Sequence, residues 1–122
     1  MSRMEILVVD DQPTACKEIV GYLKDEYDVR AFKSGEEALR YIERSTVSLV
    51  LLDYYMPGLT GFEILLSIRQ NKATANTPVI FLTSEMSDRL DQEMSQRGAN
   101  GYLTKPIDAN KLRSAVKKIL KQ

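Results

Sequence analysis

The sequence predicts an α/β protein with one doubly wound parallel sheet of five strands, each followed by a helix. Five short apolar runs alternate with five segments of helical periodicity along the 122 residues. The runs are almost continuously apolar, which is typical of parallel strands that are buried on both faces. The length suits a single domain, 1–122, and leaves no room for a second.

The first two strand–helix units lie in the N-terminal third of the chain. Residues 6–9 form the first apolar run, and Pro13 can begin a helix because proline suits the first helical turn. The apolar stripe of that helix is Ala15, Ile19, Val20 and Leu23. Residues 29–32 form the second run, and Ser34 then begins a Ser-Gly-Glu-Glu pattern. This pattern matches a capping box and predicts a helix to about residue 44.

The third unit repeats this order. Residues 49–52 form the third apolar run, and Thr60 begins a second capping box, Thr-Gly-Phe-Glu, which predicts a helix to about residue 70. The fourth run, 79–82, follows Pro78.

The last two helices flank the fifth strand. A weaker helix is predicted over residues 87–97, ending at Gly98, and residues 101–103 form the fifth run. Asp108 is placed to cap the final helix. Its apolar residues recur at i, i+3, i+4, i+7 and i+8, namely Leu112, Ala115, Val116, Ile119 and Leu120.

The composition excludes several classes of function. Lys plus Arg and Asp plus Glu both total 17, so net charge gives no reason to expect binding to nucleic acid or membranes. No apolar run approaches a membrane span and the N-terminus lacks a signal-peptide pattern, so a cytoplasmic protein is expected. The chain has no histidine and one cysteine, Cys16, which excludes Ser-His-Asp catalysis and the usual zinc sites. Oxygen ligands and a hard cation are therefore expected at any metal site.

Polar side chains follow the predicted strands where a parallel sheet brings its carboxyl ends to one edge, the edge at which such folds bind ligands. These residues are Asp10, Asp11, Asp53, Thr83 and Lys105. Three clustered carboxylates are unfavourable alone but suit a divalent cation. A central carboxylate can also act as a nucleophile toward phosphorus.

Each of these residues has a simpler explanation by itself. Asp10 or Asp11 could cap the first helix, Asp53 could belong to a turn, and Lys105 could be a surface lysine. These explanations account poorly for the joint occurrence of all five residues at strand ends.

The set resembles the receiver domain of two-component response regulators, with a likeness to single-domain chemotaxis regulators. Asp10-Asp11, Asp53 in "DYYMPG", Thr83 and Lys105-Pro106 carry the resemblance, with separations of 30 residues from Asp53 to Thr83 and 22 from Thr83 to Lys105. The resemblance implies the flavodoxin-like (βα)5 receiver fold and a phosphoacceptor switch in a phosphorelay. A sensor histidine kinase or a histidine phosphotransfer protein would supply the phosphoryl group.

The resemblance assigns a role to each acidic residue. Asp53 would accept the phosphoryl group from a phosphohistidine. Asp11 and Asp53 would bind Mg²⁺ (or Mn²⁺) directly with the backbone carbonyl of Tyr55, and Asp10 would act through a metal-bound water. Lys105 would pair with Asp53 before the reaction and with the phosphoryl group after it.

The remaining implied roles concern switching and lifetime. Thr83 and Ser84 would contact the phosphoryl group, and Tyr102 would turn inward as Thr83 moves. That change would alter the face of helix four, strand five and helix five, which a downstream effector or output domain would read. The peptide bond before Pro106 would be cis. Tyr55 and Glu85 would flank the path of hydrolytic water, and shielding by Tyr55 predicts a long-lived phosphoryl group.

The sequence is less typical of three other classes of function. A haloacid-dehalogenase-like phosphatase needs Asp-x-Asp, whereas Asp53 is followed by two tyrosines. A flavodoxin-like phosphate binder would be repelled by Asp10 and Asp11. A phosphorylation-independent scaffold with the receiver fold stays possible, although this chain keeps all five residues that such scaffolds typically lose in part. The sequence leaves open the kinase, the target, the oligomeric state and whether the domain stands alone.

Overall fold

The computed structural model describes residues 3–121 and contains all ten predicted elements. In chain order they are β1 Glu5–Val9, α1 Pro13–Leu23, β2 Asp28–Phe32, α2 Gly35–Ile42, β3 Leu49–Asp53, α3 Gly61–Gln70, β4 Val79–Thr83, α4 Asp88–Gln96, β5 Gly101–Thr104 and α5 Ala109–Leu120. The predicted order is therefore confirmed, with bounds that differ by one or two residues.

All strand pairs are parallel, and the strands lie in the order β2-β1-β3-β4-β5. The chain runs outward from β1 in one direction to β2 and then in the other through β3, β4 and β5. The switch in strand order therefore lies between β1 and β3, where a crevice opens at the carboxyl ends of doubly wound sheets. The doubly wound fold is confirmed.

Alternate residues along the central strands face two separate cores. Ile6 and Val8 of β1 pack with α1 and α5, through residues such as Ile19 and Leu112. Leu7 and Val9 pack instead with α2, α3 and α4. Because both faces are covered, β1, β3 and β4 are almost wholly buried, which explains why their sequences show no polar alternation.

Helix starts follow the sequence signals with two differences. Thr60 and Glu63 form the complete capping box of α3. At α2, Ser34 accepts from the backbone N–H of Glu37, but the reciprocal half of the predicted box is not part of the cap. The N-cap of α1 is Gln12, without a side-chain bond, so neither Asp10 nor Asp11 caps that helix. The carboxylates of Asp10 and Asp11 are thus available to the crevice at the carboxyl ends of the strands.

The helices are short, the longest being α5 with 12 residues. Within residues 3–121, no helix combines the length and the apolar character needed to cross a bilayer.

Candidate functional site

Three carboxylates converge at the crevice between β1 and β3. Asp10 and Asp11 follow β1, and Asp53 is the last residue of β3. One carboxylate oxygen from each lies within 4.8 Å of those from the other two. Asp10 is fully buried, Asp53 is 4% exposed, and Asp11 is partly exposed. The cluster is therefore open to solvent mainly at Asp11.

Backbone hydrogen bonds fix the two buried acids. The N–H of Asp10 donates to the carbonyl of Phe32 at 3.0 Å, which extends the β1–β2 ladder past the strand end. The N–H of Gln12 donates to Asp10 Oδ1 at 2.9 Å. The N–H of Tyr55 donates to Asp53 Oδ1 at 3.3 Å. Both carboxylates are thereby held in tight turns at the ends of rigid strands.

Lys105 supplies the positive charge of the cluster, but its main partner differs from the expected one. Its Nζ lies 2.9 Å from Asp10 Oδ2 and 3.5 Å from Asp53 Oδ1. The predicted pairing with Asp53 is thus the longer contact, because the fully buried Asp10 has the greater need of a counter-charge. Burial opposes the charge on Lys105, yet the hydrogen bond to Asp10 and the charge of Asp53 outweigh it and raise the lysine pKa. The bond from Lys105 to Pro106 is cis, as expected.

The buried carboxyl of Asp53 has a raised pKa. Burial and the neighbouring charge of Asp10 raise the pKa of its carboxyl from 3.8 to about 6, although Lys105 and the Tyr55 N–H lower it. Two acids that share one lysine leave one negative charge insufficiently balanced. A cation at this cluster would relieve that imbalance.

The donor set fits a hard divalent cation. Carboxylate oxygens are the ligands that Mg²⁺ and Mn²⁺ prefer, and the described residues bring three carboxylates together here. Both oxygens of Asp10 already accept hydrogen bonds, from Gln12 and Lys105. Asp11 and Asp53 could therefore ligate a cation with fewer changes to existing hydrogen bonds than Asp10 could.

Thr83 lies at the end of β4 with its hydroxyl directed at the following loop. The side chain is 1% exposed, and its Oγ1 donates to the carbonyl of Glu85 at 2.8 Å and accepts from the Glu85 N–H at 3.3 Å. Ser84 and Glu85 are themselves exposed. The hydroxyl therefore holds the β4–α4 loop in this state, and any contact with a group on Asp53 would have to release that hold.

The two predicted tyrosines both face outward. Tyr102 on the edge strand β5 is 36% exposed, and Tyr55 is 64% exposed. The ring of Tyr55 meets that of Tyr54 edge-on at a centroid distance of 4.7 Å. Tyr55 lies in the loop of residues 54–60 that follows Asp53, and we call this the acceptor loop because the sequence predicts Asp53 as the phosphoryl acceptor. The neighbouring Tyr54 holds the Tyr55 ring in place.

That neighbour belongs to an aromatic cluster of Tyr54, Phe62 and Phe81. Tyr54 contacts Phe62 at 5.1 Å and Phe81 at 5.8 Å, both edge-to-face. The cluster supports the acceptor loop from below and connects it to α3 and β4. Tyr54 lies in the acceptor loop, Phe62 on α3 and Phe81 on β4, and the sequence carries no signal for these contacts because they depend on the tertiary fold.

Comparison with known proteins gives one consistent family. A family model described as the response regulator receiver domain matches residues 6–117. The chain is 31% identical over 121 residues to chemotaxis protein CheY of Pseudomonas aeruginosa, covering 98% of each protein. It is also 35% identical over 116 residues to a probable cyclic di-GMP phosphodiesterase of Vibrio cholerae, covering 95% of this chain and 26% of that protein. The chain thus spans nearly all of one relative and about a quarter of the other.

A solved structure agrees with the sequence relatives. The receiver domain of a sensor histidine kinase from Pseudomonas aeruginosa, solved with a magnesium ion coordinated in its active-site cleft, superimposes with a TM-score of 0.88. It is 29% identical, and the match covers 99% of this chain and all of that one.

Proposed function

Because the chain belongs to the response regulator receiver domain family, we propose that it is switched by transfer of a phosphoryl group to Asp53. A receiver domain is a signalling domain and not an enzyme in the ordinary sense. The observation that carries the proposal is the meeting of Asp53 with two further carboxylates and Lys105 at the crevice of the sheet. The phosphorylation-independent scaffold has no comparable observation in its favour.

The three carboxylates would hold Mg²⁺ or Mn²⁺, with Asp11, Asp53 and the Tyr55 carbonyl as direct ligands. The magnesium ion in the similar kinase receiver domain supports this assignment. When bound, the cation would neutralise charge on the transferring phosphoryl group.

In the transfer itself, a carboxylate oxygen of Asp53 attacks phosphorus as the bond between phosphorus and the donor imidazole nitrogen breaks. The backbone N–H of Tyr55 already orients this carboxylate. Lys105 can follow the charge with little motion, because its ammonium group already lies 3.5 Å from Asp53 Oδ1. These groups act by position and charge, so the domain promotes its own phosphorylation and hydrolysis without a separate acid or base.

The new group then changes the β4–α4 loop. The Thr83 hydroxyl exchanges its bond to the Glu85 carbonyl for one to a phosphoryl oxygen, with Ser84 beside it. The loop moves toward Asp53, and Tyr102 turns inward. This biases an existing equilibrium and alters the face of α4, β5 and α5.

The partners follow from this chemistry. The donor is a sensor histidine kinase or a histidine phosphotransfer protein, and the reader of the altered face is an effector or output domain. We expect the exchange to occur in the cytoplasm, without direct contact to nucleic acid or membrane.

The acceptor is tested by incubating the full chain with acetyl phosphate and Mg²⁺. Intact mass should rise by one phosphoryl group, and borohydride trapping with tandem mass spectrometry should place it at Asp53. Asp53→Asn should gain none, whereas the exposed control Asp28→Asn should label as the wild type does. Labelling of Asp53→Asn to the same extent would contradict the assignment, and a wild type that gains no mass would favour the scaffold.

A further inference from the structure

The two halves of α4 are anchored very differently. Met94, in the C-terminal half, is 2% exposed and is the buried residue of this helix. Asp88 and Arg89, in the N-terminal half, are exposed, and Leu90 is partly buried. The helix is therefore most deeply buried in its C-terminal half, although Leu90 also packs against the core as a partly buried side chain.

The C-terminal end is tied to α3 by Arg69. The guanidinium of Arg69 donates to the carbonyl of Gly98 through Nε at 3.1 Å and Nη2 at 2.8 Å. Its Nη1 donates to the carbonyl of Thr77 at 2.7 Å, and Nη2 also donates to Asn100 Oδ1 at 3.1 Å. The planar fork of an arginine suits such convergent acceptors, which a lysine could not satisfy together. One side chain on α3 thus holds both the loop before β4 and the turn between α4 and β5.

Gly98 and Asn100 are shaped for this contact. Gly98 has φ of +98°, a conformation that residues with a side chain rarely adopt, and a Cβ there would lie 3.2 Å from Arg69 Nε. Asn100 Oδ1 also accepts from the N–H of Val79 at 2.9 Å, and the Asn100 N–H donates to the Val79 carbonyl at 2.8 Å. The turn after α4 is therefore fastened both to α3 and to the start of β4.

A second arginine adds to the same attachment. The guanidinium of Arg97, the C-cap of α4, lies 4.2 Å from the ring centroid of Phe62 on α3. Phe62 in turn packs against Phe81 at 5.7 Å. We call Arg69, Arg97, Phe62, Gly98 and Asn100 together the α3–α4 clamp.

At the N-terminal end of α4, Leu90 and the preceding Met86 pack against the core, but both side chains are only partly buried. Ser87 caps the helix by accepting from Leu90, a bond within the same segment. The connection to the acidic site runs through the hydroxyl of Thr83, which holds Glu85 at 2.8 Å. The N-terminal end of α4 is therefore free to move when the Thr83 hydroxyl gives up its bond to Glu85 for another partner.

We propose that α4 is hinged at its C-terminal end by the α3–α4 clamp, so that switching moves residues 84–91 and leaves residues 97–100 in place. A hinge at a helix end concentrates the change in a few residues while the packed end keeps its contacts. The role of this hinge in signalling rests on the proposed phosphorylation of Asp53. It places the surface that a partner discriminates at the N-terminal half of α4.

The clamp is tested first without phosphorylation, by hydrogen exchange on the full chain with Arg69→Gln and the control Arg89→Gln. Arg69→Gln should speed exchange at the amides of Gly98, Ala99 and Asn100 at least tenfold while α1 amides keep the wild-type rate. Arg89→Gln should match the wild type throughout. Wild-type rates at residues 98–100 in Arg69→Gln would overturn the clamp.

Arg97→Gln provides a second variant in case Arg69→Gln fails to fold. Arg97 is exposed and reaches α3 through its stacking on Phe62, whereas its ion pair with Glu93 at 3.1 Å lies within α4. Its loss should therefore speed exchange at the same amides several-fold without global unfolding. Unchanged rates in this variant would remove Arg97 from the clamp.

The hinge is then tested on protein labelled with acetyl phosphate and Mg²⁺, with labelling verified by intact mass. In the wild type, exchange should change at residues 84–91 and stay within twofold at 97–100. In Arg69→Gln or Arg97→Gln the change should spread to 97–100. Equal changes at both ends of α4 in the wild type would overturn the hinge. A wild type that gains no mass contradicts the proposed function, and the exchange rates of the unlabelled variants still decide the clamp.

Discussion

The buried charge of Asp10 is balanced by hydrogen-bond donors from the protein. Its oxygens are taken by the Gln12 N–H and by Lys105, and the residue is fully buried. Removal of one partner from such a pair is costly, because a buried charge is then left without compensation. Asp53 shares the same lysine at the longer distance and so carries the unbalanced charge of the cluster.

The raised pKa of Asp53 predicts how its removal changes stability with pH. A carboxyl whose pKa is about 6 in the folded protein and 3.8 when unfolded makes the folded state bind more protons between those values. The stability contributed by Asp53 therefore falls as pH rises from about 4 to about 6. In EDTA at pH 7.5, Asp53→Asn should raise the melting temperature and increase the free energy of unfolding by at most about 3 kcal/mol. At pH 4 the same substitution should change both quantities little.

Differential scanning calorimetry of the two proteins across this pH range measures the effect. Asp28→Asn, which removes an exposed carboxylate from β2, serves as the control and should show no comparable rise between pH 4 and 7.5. If Asp53→Asn raised the melting temperature equally at pH 4 and pH 7.5, the electrostatic explanation would be refuted.

The large side chain of Tyr55 near Asp53 leads us to expect slow hydrolysis of the phosphoryl group. Hydrolysis needs a water in line with phosphorus, and a large ring two residues after Asp53 lowers the chance of placing one. A misplacement of about 1 Å can cost roughly a hundredfold in rate. The structure holds this ring against Tyr54. Tyr55→Ala should therefore lose phosphate several-fold faster than the wild type after donor removal, with Mg²⁺ held constant.

The matched control is Leu66→Ala, which removes a side chain that is 54% exposed on α3, outside the acceptor loop. It should lose phosphate at the wild-type rate. If Tyr55→Ala released phosphate no faster than that control, the tyrosine would have no shielding role.

At the scale of elements, the start of α3 is pressed against the acceptor loop. A Cβ on Gly61 would lie 2.8 Å from Phe81 Cε1 and 3.2 Å from the Tyr54 Cα and carbonyl oxygen. The helix can approach this loop so closely because residue 61 has no side chain. The aromatic contacts of Tyr54 with Phe62 depend on that approach.

Gly61→Ala should therefore destabilise the fold by about 1–3 kcal/mol, the usual cost of forcing atoms into a packed site. Gly21→Ala in α1 is the matched control, because nothing lies within 4 Å of its Cβ position. It should stabilise the protein by roughly 0.5–1 kcal/mol through helix propensity. Urea unfolding measures both, and a Gly61→Ala variant as stable as the wild type would show that the loop can yield.

The elements also show what the sequence could and could not predict. The alternation of strands and helices was readable because the three central strands are buried on both faces and most of the helices have an apolar stripe. The sequence could not predict that Lys105 pairs more closely with Asp10 than with Asp53, because this preference depends on how deeply each carboxylate is buried. Arg69 at the end of α3 resembled an ordinary surface arginine, and its acceptors at residues 77, 98 and 100 meet only in the folded chain.

At the scale of the whole molecule, the strand order assembles the acidic site. Placing β1 and β3 side by side brings Asp10, Asp11 and Asp53 together although more than 40 residues separate them in the chain. Any such clustering of like charges is unfavourable without a cation. The stability of the entire domain should consequently depend on what occupies one corner of it.

Millimolar Mg²⁺ should raise the melting temperature of the wild type, because binding to the folded state alone stabilises it by mass action. The gain is about 2.7 kcal/mol at a hundredfold excess over the dissociation constant, or roughly 10 °C for a domain of this size. Asp11→Asn should melt higher than the wild type in EDTA, since it relieves repulsion, and should lose the Mg²⁺ response. Asp28→Asn should keep the full response. An Asp11→Asn variant that Mg²⁺ still stabilises as strongly as the wild type would show that the cation binds elsewhere on the domain.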